Sequence, residues 1–397
     1  MIHLLLILIY ICFISLGLPD SLLGSAWPIL HVDIGVPTAY AGIVSMVISL
    51  GTIVSSFFSD RLVRWLGSGR ITAISIAMTA AALFGFSQSR AFWMLILWAI
   101  PYGLGAGGVD AVLNNYVALH YKAQHMSWLH CFWGVGASIS PYIMQFALVR
   151  LDGWNRGYLI VSVIQACLSA IVFFSMPLWR RMEKKESDAT ETLGAPLRVK
   201  DILRIPGAVP CLITFFAYCG LEVSASLWAS SYLVQCKGVD VETASAFASL
   251  FYIGITVGRA INGFLAMRFS DRFLIRMGSG IVLFGILLQL VPKPSELSLI
   301  GFIIVGLGCA PIYPCIIHMT PTVFGRDKSQ AMIGMQMAFA YFGFCLMPPL
   351  FGFIADALSM ALLPLYLLLL MLVMALTHEV MIRQTSKKTT PMEDNRC

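Results

Sequence analysis

Five ionisable side chains interrupt long apolar stretches of this chain: Asp20, Asp110, His130, Glu222 and Arg259. In such surroundings an ionisable group costs energy and faces either a cavity or a partner. A carboxyl held away from bulk water exchanges its proton near neutral pH, so Asp20, Asp110 and Glu222 are candidates for proton coupling. Asp20 stands in Gly17-Leu18-Pro19-Asp20, with Gly24 and Pro28 following. Those residues weaken a helix and free backbone carbonyls to face a cavity. The structural alternative is a neutral Asp that bonds a neighbouring helix.

Asp110 follows the run Gly103-Leu104-Gly105-Ala106-Gly107-Gly108 and precedes Asn114-Asn115. Asn114 stands four positions after Asp110, so acid and amide share one helix face. Together they offer donors and acceptors suited to a hydroxylated solute, or an interhelical polar clamp. His130 lies in Trp128-Leu129-His130-Cys131-Phe132-Trp133. A turn near His120–Lys122 puts it at the depth of Asp110 on the next, antiparallel helix. That placement predicts a pair with Asp110, or else a bond to a backbone carbonyl.

Glu222, in Tyr218-Cys219-Gly220-Leu221-Glu222, is the one acid read within the spans of the second half. It is a second protonation site, a solute ligand or a structural group. Arg259, with Asn262 three residues on, reads as a gate or a structural ion pair. Trp27, Trp133, Trp228, Tyr313 and Tyr341 could lay flat apolar faces against a sugar ring, with Tyr218 and Gln336 as further solute contacts. Packing and interfacial roles are the alternative for single aromatics in apolar helices.

The elements that must position these groups follow from composition. The chain has 397 residues, 58% hydrophobic and 12% charged, against about 45–50% and about 25% in soluble domains. This excludes a disordered chain, a disulfide scaffold and a basic nucleic-acid binder. A helix needs about 20 residues to cross about 30 Å of hydrocarbon, so twelve would use about 60% of the chain. Apolar runs fall at about 4–30, 39–59, 71–89, 92–118, 127–149 and 157–179, then 208–234, 243–267, 274–291, 297–319, 330–351 and 361–380. The fold class is therefore an all-α membrane protein with two six-helix bundles, 1–179 and 208–382, a cytoplasmic linker at 180–207 and a tail at 383–397. The interiors of spans 3, 6, 9 and 12 are read as free of ionisable groups, which makes those helices peripheral. The first apolar run lacks a basic leading segment and a small-residue cleavage site, so it reads as a retained span.

With the N-terminus inside, the outer side holds Arg90, Arg150, Arg156, Lys237 and Lys293, and twenty other Lys and Arg lie inside. That asymmetry puts both termini in the cytoplasm. An internal repeat supports two similar halves: Gly103 and Gly105 recur as Gly306 and Gly308, Gly136 and Pro141 as Gly343 and Pro348, and Asp60-Arg61 as Asp271-Arg272. In transporters built this way the solute site lies between the repeats near the midplane.

Most of the ten cysteines fall in apolar stretches, with no CxxC and no Cys/His cluster at zinc spacing, so they read as small buried residues and no metal is expected. No HExxH, Walker or GxSxG sequence is present, and the glycine run before Asp110 sits inside an apolar span with no preceding strand. The chain reads as a transporter rather than an enzyme, without cofactor, driven by an ion or solute gradient.

Twelve spans, six-plus-six repeats and the loop Asp60-Arg61-Leu62-Val63-Arg64-Trp65-Leu66-Gly67-Ser68-Gly69-Arg70 resemble the major facilitator superfamily, whose loop reads Gly-x-x-x-Asp-Arg-x-Gly-Arg. Here Ser56 takes the place of the first glycine and the gap before Gly69-Arg70 is longer. The resemblance gives gating or structural roles to Asp60, Arg61, Arg70, Asp271 and Arg272. Within the superfamily, Gly17–Asp20 with Gly24, Gly103-Leu104-Gly105 with Asp110 and Asn114, and Tyr218, Gly220 and Glu222 are similar to the fucose:proton symporter group. That resemblance implies proton coupling and sugar binding at Asp20 and Asp110, and an amide contact from Asn114. Span 4 carries Asp where the fucose carriers have Glu, and Asn114-Asn115 where they have Asn-Pro. Export antiporters carry Gly-Pro-x-x-Gly-Gly in span 5, whereas Tyr142, Ile143 and Met144 follow Pro141 here.

The expectation is proton-coupled symport of a small polar solute such as a monosaccharide, with sodium an open alternative ion. Efflux of amphipathic metabolites by antiport is the second reading. The partners are the solute, the proton and the lipid bilayer, with no nucleic acid. The protein is expected as a monomer in a cell membrane, a bacterial inner membrane or a plasma membrane.

Overall fold

In lipid, a backbone segment must satisfy its own N–H and C=O groups, and a helix does so within one segment. The computed structural model describes residues 2–37, 40–151, 153–180, 197–239 and 241–386, and among these it is helical with no strand. The expected linker lies largely outside the described residues (181–196, with Arg181, Lys184 and Lys185), as does the tail from 387 onward, with Lys387, Lys388 and Arg396.

The chain divides into two compact units, Met1–Pro196 and Leu197–Cys397. The first contains α1 (Ile2–Asp20), α2 (Leu22–Ile34), α3 (Tyr40–Leu66), α4 (Ser68–Gln88), α5 (Phe92–His120), α6 (Ala123–Arg150) and α7 (Trp154–Phe174). The second contains α8 (Val199–Leu203), α9 (Ala208–Lys237), α10 (Val241–Leu265), α11 (Asp271–Leu290), α12 (Ser295–Cys309), α13 (Ile312–Phe324), α14 (Ser329–Ala357) and α15 (Leu363–Ser386), with a short 3-10 turn at Met360–Leu362. Among the described residues eleven stretches have the length and hydropathy to cross a membrane. They include Leu4–Trp27 across α1 and α2 and Ser295–Phe324 across α12 and α13, while α10 is outside the eleven. These helices are apolar outside as well as inside: on α1, Leu4, Ile7 and Ile11 are exposed while Leu5, Ile9 and Cys12 are buried. That distribution suits a hydrocarbon solvent.

Two expected helices are broken, and prolines explain how the breaks are tolerated. The first span is interrupted at Ser21, just after Pro19. Pro19 has no N–H, so the Ser15 carbonyl four residues back lacks its helical donor. Gln165 of α7 fills the place, its Nε2 donating to Ser15 O at 2.6 Å. Pro141 in α6 likewise frees Ala137 O, which accepts from Ser21 Oγ at 2.6 Å. The second break, at Ala310-Pro311 between α12 and α13, leaves Cys309 O to accept from Tyr218 Oη at 3.0 Å.

Close helix approach rests on glycine in both units. A Cβ at Gly17 of α1 would run into the Trp133 carbonyl of α6, and one at Gly136 of α6 into the Ile14 carbonyl. In the second unit Gly220 of α9 lies against the Met347 side chain, and Gly343 of α14 against the Phe216 carbonyl. Small residues let membrane helices meet backbone to backbone, which puts α6 against α1 and α14 against α9. The repeat read from the sequence holds at contact level: Gly103 abuts Ile48 O and Gly306 abuts Phe251 O, both pairs being offset by 203.

One sequence expectation fails. The twelfth stretch does carry ionisable groups: His378 is buried, and Glu379 accepts a bidentate pair from Arg276 of α11 at 2.7 and 2.8 Å. Glu222 is thus not the one acid of the second half's helices. Both residues stand in the last turn of the run read at 361–380, and α15 continues past them to Ser386, with Glu379 reaching α11.

Candidate functional site

In the first unit three helices converge on two acids. Asp20 ends α1 and is exposed. Tyr102 Oη of α5 donates to its Oδ1 at 3.0 Å, and Trp133 Nε1 of α6 donates to its Oδ2 at 2.9 Å. Asp110 of α5 is buried, 7% exposed. Asn114 Nδ2 donates to Asp110 Oδ1 at 2.7 Å, and Asn114 Oδ1 lies 3.0 Å from His130 Nε2. With the amide oxygen as acceptor, His130 carries its proton on Nε2.

The expected direct pair between Asp110 and His130 is therefore replaced by a relay in which Asn114 bridges them. The ring of Phe13 meets the His130 ring edge-on at 5.4 Å. Asn115 is buried, and its Oδ1 has no hydrogen-bond partner among the described residues. Residues 102, 106, 110 and 114 form a single i,i+4 stripe on α5, which is why Tyr102, Asp110 and Asn114 face the same neighbours. On α6, His130 and Trp133 are three apart and likewise share a face. The hydrogen bonds on both acids come from neutral groups: a phenol, an indole and an amide.

The second unit answers differently. Glu222 of α9 faces Arg259 of α10, with Oε1 3.7 Å from the guanidinium. Tyr218 is fully buried and ties α9 to the end of α12 through Cys309 O. Tyr313 packs its ring 6.1 Å from that of Tyr218, and its hydroxyl meets Met337 Sδ at 3.1 Å. Gln336 is buried between α9 and α13, donating to Cys211 Sγ at 3.0 Å and to Thr320 Oγ1 at 2.9 Å. Trp228 donates to Pro348 O at 3.0 Å.

Of the aromatic candidates, Trp133 alone meets one of the two acids through a described hydrogen bond. Trp27 is buried against His31, its ring 6.1 Å away, and Tyr341 is half-buried beside Phe344. Trp228, Tyr218, Tyr313 and Gln336 tie helices together, and Trp27 packs in the core of the first unit.

The gating candidates also separate. Asp60 is buried and accepts from Arg64 Nε at 3.1 Å on the same helix, while Arg61 covers the Phe58 ring at 5.7 Å. Arg70 and Arg272 are exposed. Asp271 reaches across to His318 Nδ1 of α13 at 2.7 Å.

Sequence reading missed Tyr102 and Gln165. Two signals pointed to them: Tyr102 stands two turns before Asp110 on one face, and Pro19 leaves a carbonyl that needs a donor. No group of three or more His, Cys, Asp or Glu at metal spacing occurs among the described residues.

Comparison with known proteins bears on this arrangement. A Saccharomyces cerevisiae protein described as Bypass of stop codon protein 6 is 24% identical over 391 residues, covering 89% of this chain and 78% of that one. The Glucose/mannose transporter GlcP of Bacillus subtilis is 20% identical over 86% of each chain. Among solved structures, the major facilitator transporter FucP in the outward conformation superposes with a TM-score of 0.72 at 16% identity, covering 94% of this chain and 98% of that one. The proton:xylose symporter XylE bound to 6-bromo-6-deoxy-D-glucose gives 0.75 at 10% identity, covering 95% and 94%. At those identities the likeness is one of fold. The family model described as Major Facilitator Superfamily matches residues 9–237 and 210–394, both halves of the repeat. A multi-pass helical chain whose two repeats pack through the same glycine contacts, and which that model matches over nearly its whole length, belongs to the Major Facilitator Superfamily.

Proposed function

We propose that this transporter carries a small polar solute, such as a monosaccharide, together with a proton. The observation that carries the reading is the pair of acids in the first unit, Asp20 and Asp110, each held by neutral donors. A carboxyl held this way can lose and regain a proton without breaking an ion pair. Asn114 and His130, bonded to each other beside Asp110, supply the amide and imidazole groups for solute hydroxyls. Trp133 presents an indole beside Asp20. The names of the related proteins support the choice of solute: one is a glucose/mannose transporter, one a fucose:proton symporter and one a proton:xylose symporter.

In this reading the chain has twelve spans in bundles 1–179 and 208–382, with both termini cytoplasmic, and works as a monomer in a bacterial inner or plasma membrane. Alternating access moves the solute, as in repeat-built transporters generally. Asp60, Arg61, Arg70, Asp271 and Arg272 serve the gates, and the Glu222–Arg259 pair braces the second unit.

The test is uptake of radiolabelled D-glucose, L-fucose and D-xylose into proteoliposomes. An acidic outer buffer should drive accumulation of at least one sugar, and a protonophore should abolish it. Asp110→Asn should lose accumulation and keep sugar exchange at equal pH. Transport of amphipathic cations alone, driven by the opposite gradient, would replace this reading with export.

A further inference from the structure

The two donors on Asp20 differ in what they can do. Trp133 Nε1 reaches Oδ2 at 2.9 Å and Tyr102 Oη reaches Oδ1 at 3.0 Å. An indole N–H only donates, whereas a phenol donates and accepts. Both contacts as drawn suit an ionised carboxyl, which only accepts. When Asp20 carries a proton on Oδ1, Trp133 keeps its bond to Oδ2. Oδ1 has then gained an O–H and become a weaker acceptor, and Tyr102, which can accept as well as donate, is placed to take that bond and turn its own O–H toward a new acceptor.

A place for that O–H lies beside the tyrosine. A small cavity of about 10 Å³ has Ser15, Thr79, Tyr102 and Gln165 among its lining residues, and the rest of its wall, Cys12 and Pro19 included, is largely apolar. That is room for roughly one water, which also needs two to four polar neighbours. The polar wall is fixed: Ser15 Oγ donates to Gln165 Oε1 at 2.8 Å, Gln165 Nε2 donates to Ser15 O at 2.6 Å, and Thr79 Oγ1 lies 3.4 Å from Gln165 Oε1. All four polar side chains are buried.

We propose that this cavity binds one water and that Tyr102 turns its hydroxyl between the Asp20 carboxylate and that water as Asp20 loses and gains its proton. The proton taken up stays on Asp20, and Tyr102 keeps its own and only reorients. Both forms of Asp20 are then fully hydrogen-bonded, which removes the cost of an unsatisfied buried partner from either state. Tyr102 is a positioning residue. The titratable groups around it are Asp20 and Cys12 on α1, with Asp110 two turns along its own helix. The inference rests on reading Asp20 as a coupling site.

Infrared difference spectroscopy on the full chain in phosphatidylcholine liposomes, stepped from mildly alkaline to mildly acidic pH, tests it without any solute. A carboxyl C=O band missing from Asp20→Asn should grow on acidification, together with a change in a buried-water O–H band. Tyr102→Phe takes a hydrogen-bond partner from both forms of Asp20, so the carboxyl band should still grow on acidification. The same substitution should abolish the water band. Thr79→Val, which removes one polar wall atom, should weaken the water band while Asp20 still titrates. A water band in Tyr102→Phe identical to that of the unmodified chain would overturn the water switch alone. Acid-dependent bands that persist unchanged in Asp20→Asn would overturn the coupling role of Asp20, and the switch with it.

Discussion

The two units place an acid at nearly the same point of the repeat and treat it in opposite ways. Asp20 stands three residues after Gly17 on α1, and Glu222 stands two after Gly220 on α9, the glycines being offset by 203. At the same offset, Arg259 corresponds to Ser56, which is buried in α3, and Asp110 corresponds to Tyr313. At these positions the first unit holds two acids among neutral donors, and the second one acid facing one cation. Duplicated scaffolds keep the glycine contacts that fix helix spacing. They diverge at the polar positions between those contacts. In the proposed reading, charge that changes during a cycle sits where no guanidinium neutralises it, and charge that stays sits where one does.

The largest expected effect breaks the first side of this contrast. Asp110→Asn should reduce gradient-driven sugar accumulation to background in proteoliposomes, while Glu222→Gln should leave the pH profile of uptake in place. Loss of the pH response in Glu222→Gln instead would erase the division of labour. Next comes the second side. Removing one member of a buried ion pair strands the other, at a cost of about 3–5 kcal/mol. Arg259→Met should lower the midpoint of thermal unfolding in detergent strongly, and adding Glu222→Leu should restore most of it.

A smaller effect sharpens the relay. Asn114→Leu removes the bridge between Asp110 and His130 and should weaken sugar binding about 10-fold to 100-fold, the size expected for hydrogen bonds to a charged group. It should also move the His130 Nε2–H resonance in NMR, because that N–H loses its acceptor. Trp228→Phe deletes a single donor to Pro348 O and should cost about 1 kcal/mol with uptake intact. Glu379→Gln breaks an exposed pair with Arg276 and should cost less than about 1 kcal/mol, vanishing at high salt.

Much of this architecture is legible in the sequence, and for physical reasons. Bilayer thickness fixes helix length, so apolar runs locate the spans, and lipid forces backbone satisfaction, so helices follow. The glycine repeat was readable because close approach leaves no room for a Cβ. The polar network was only half readable. Asp20, Asp110, Asn114 and His130 announce themselves by being polar in apolar runs, but spacing cannot say which face meets which. Hence a direct pairing of Asp110 with His130 was expected where Asn114 intervenes. Tyr102 passed unnoticed because a tyrosine in a membrane helix is ordinary. His378 and Glu379, at the end of the run 361–380, were passed over because hydropathy averages away a charge that faces another helix.

The proline at position 19 has a consequence for how this protein can change over generations. Gln165 meets a demand that Pro19 creates, and Ser21 meets one that Pro141 creates, each on a different helix. Restoring a backbone donor at position 19 would set two donors competing for one oxygen, and losing the glutamine would leave that oxygen with none. Such positions are expected to drift together across descendants, and to resist replacement one at a time.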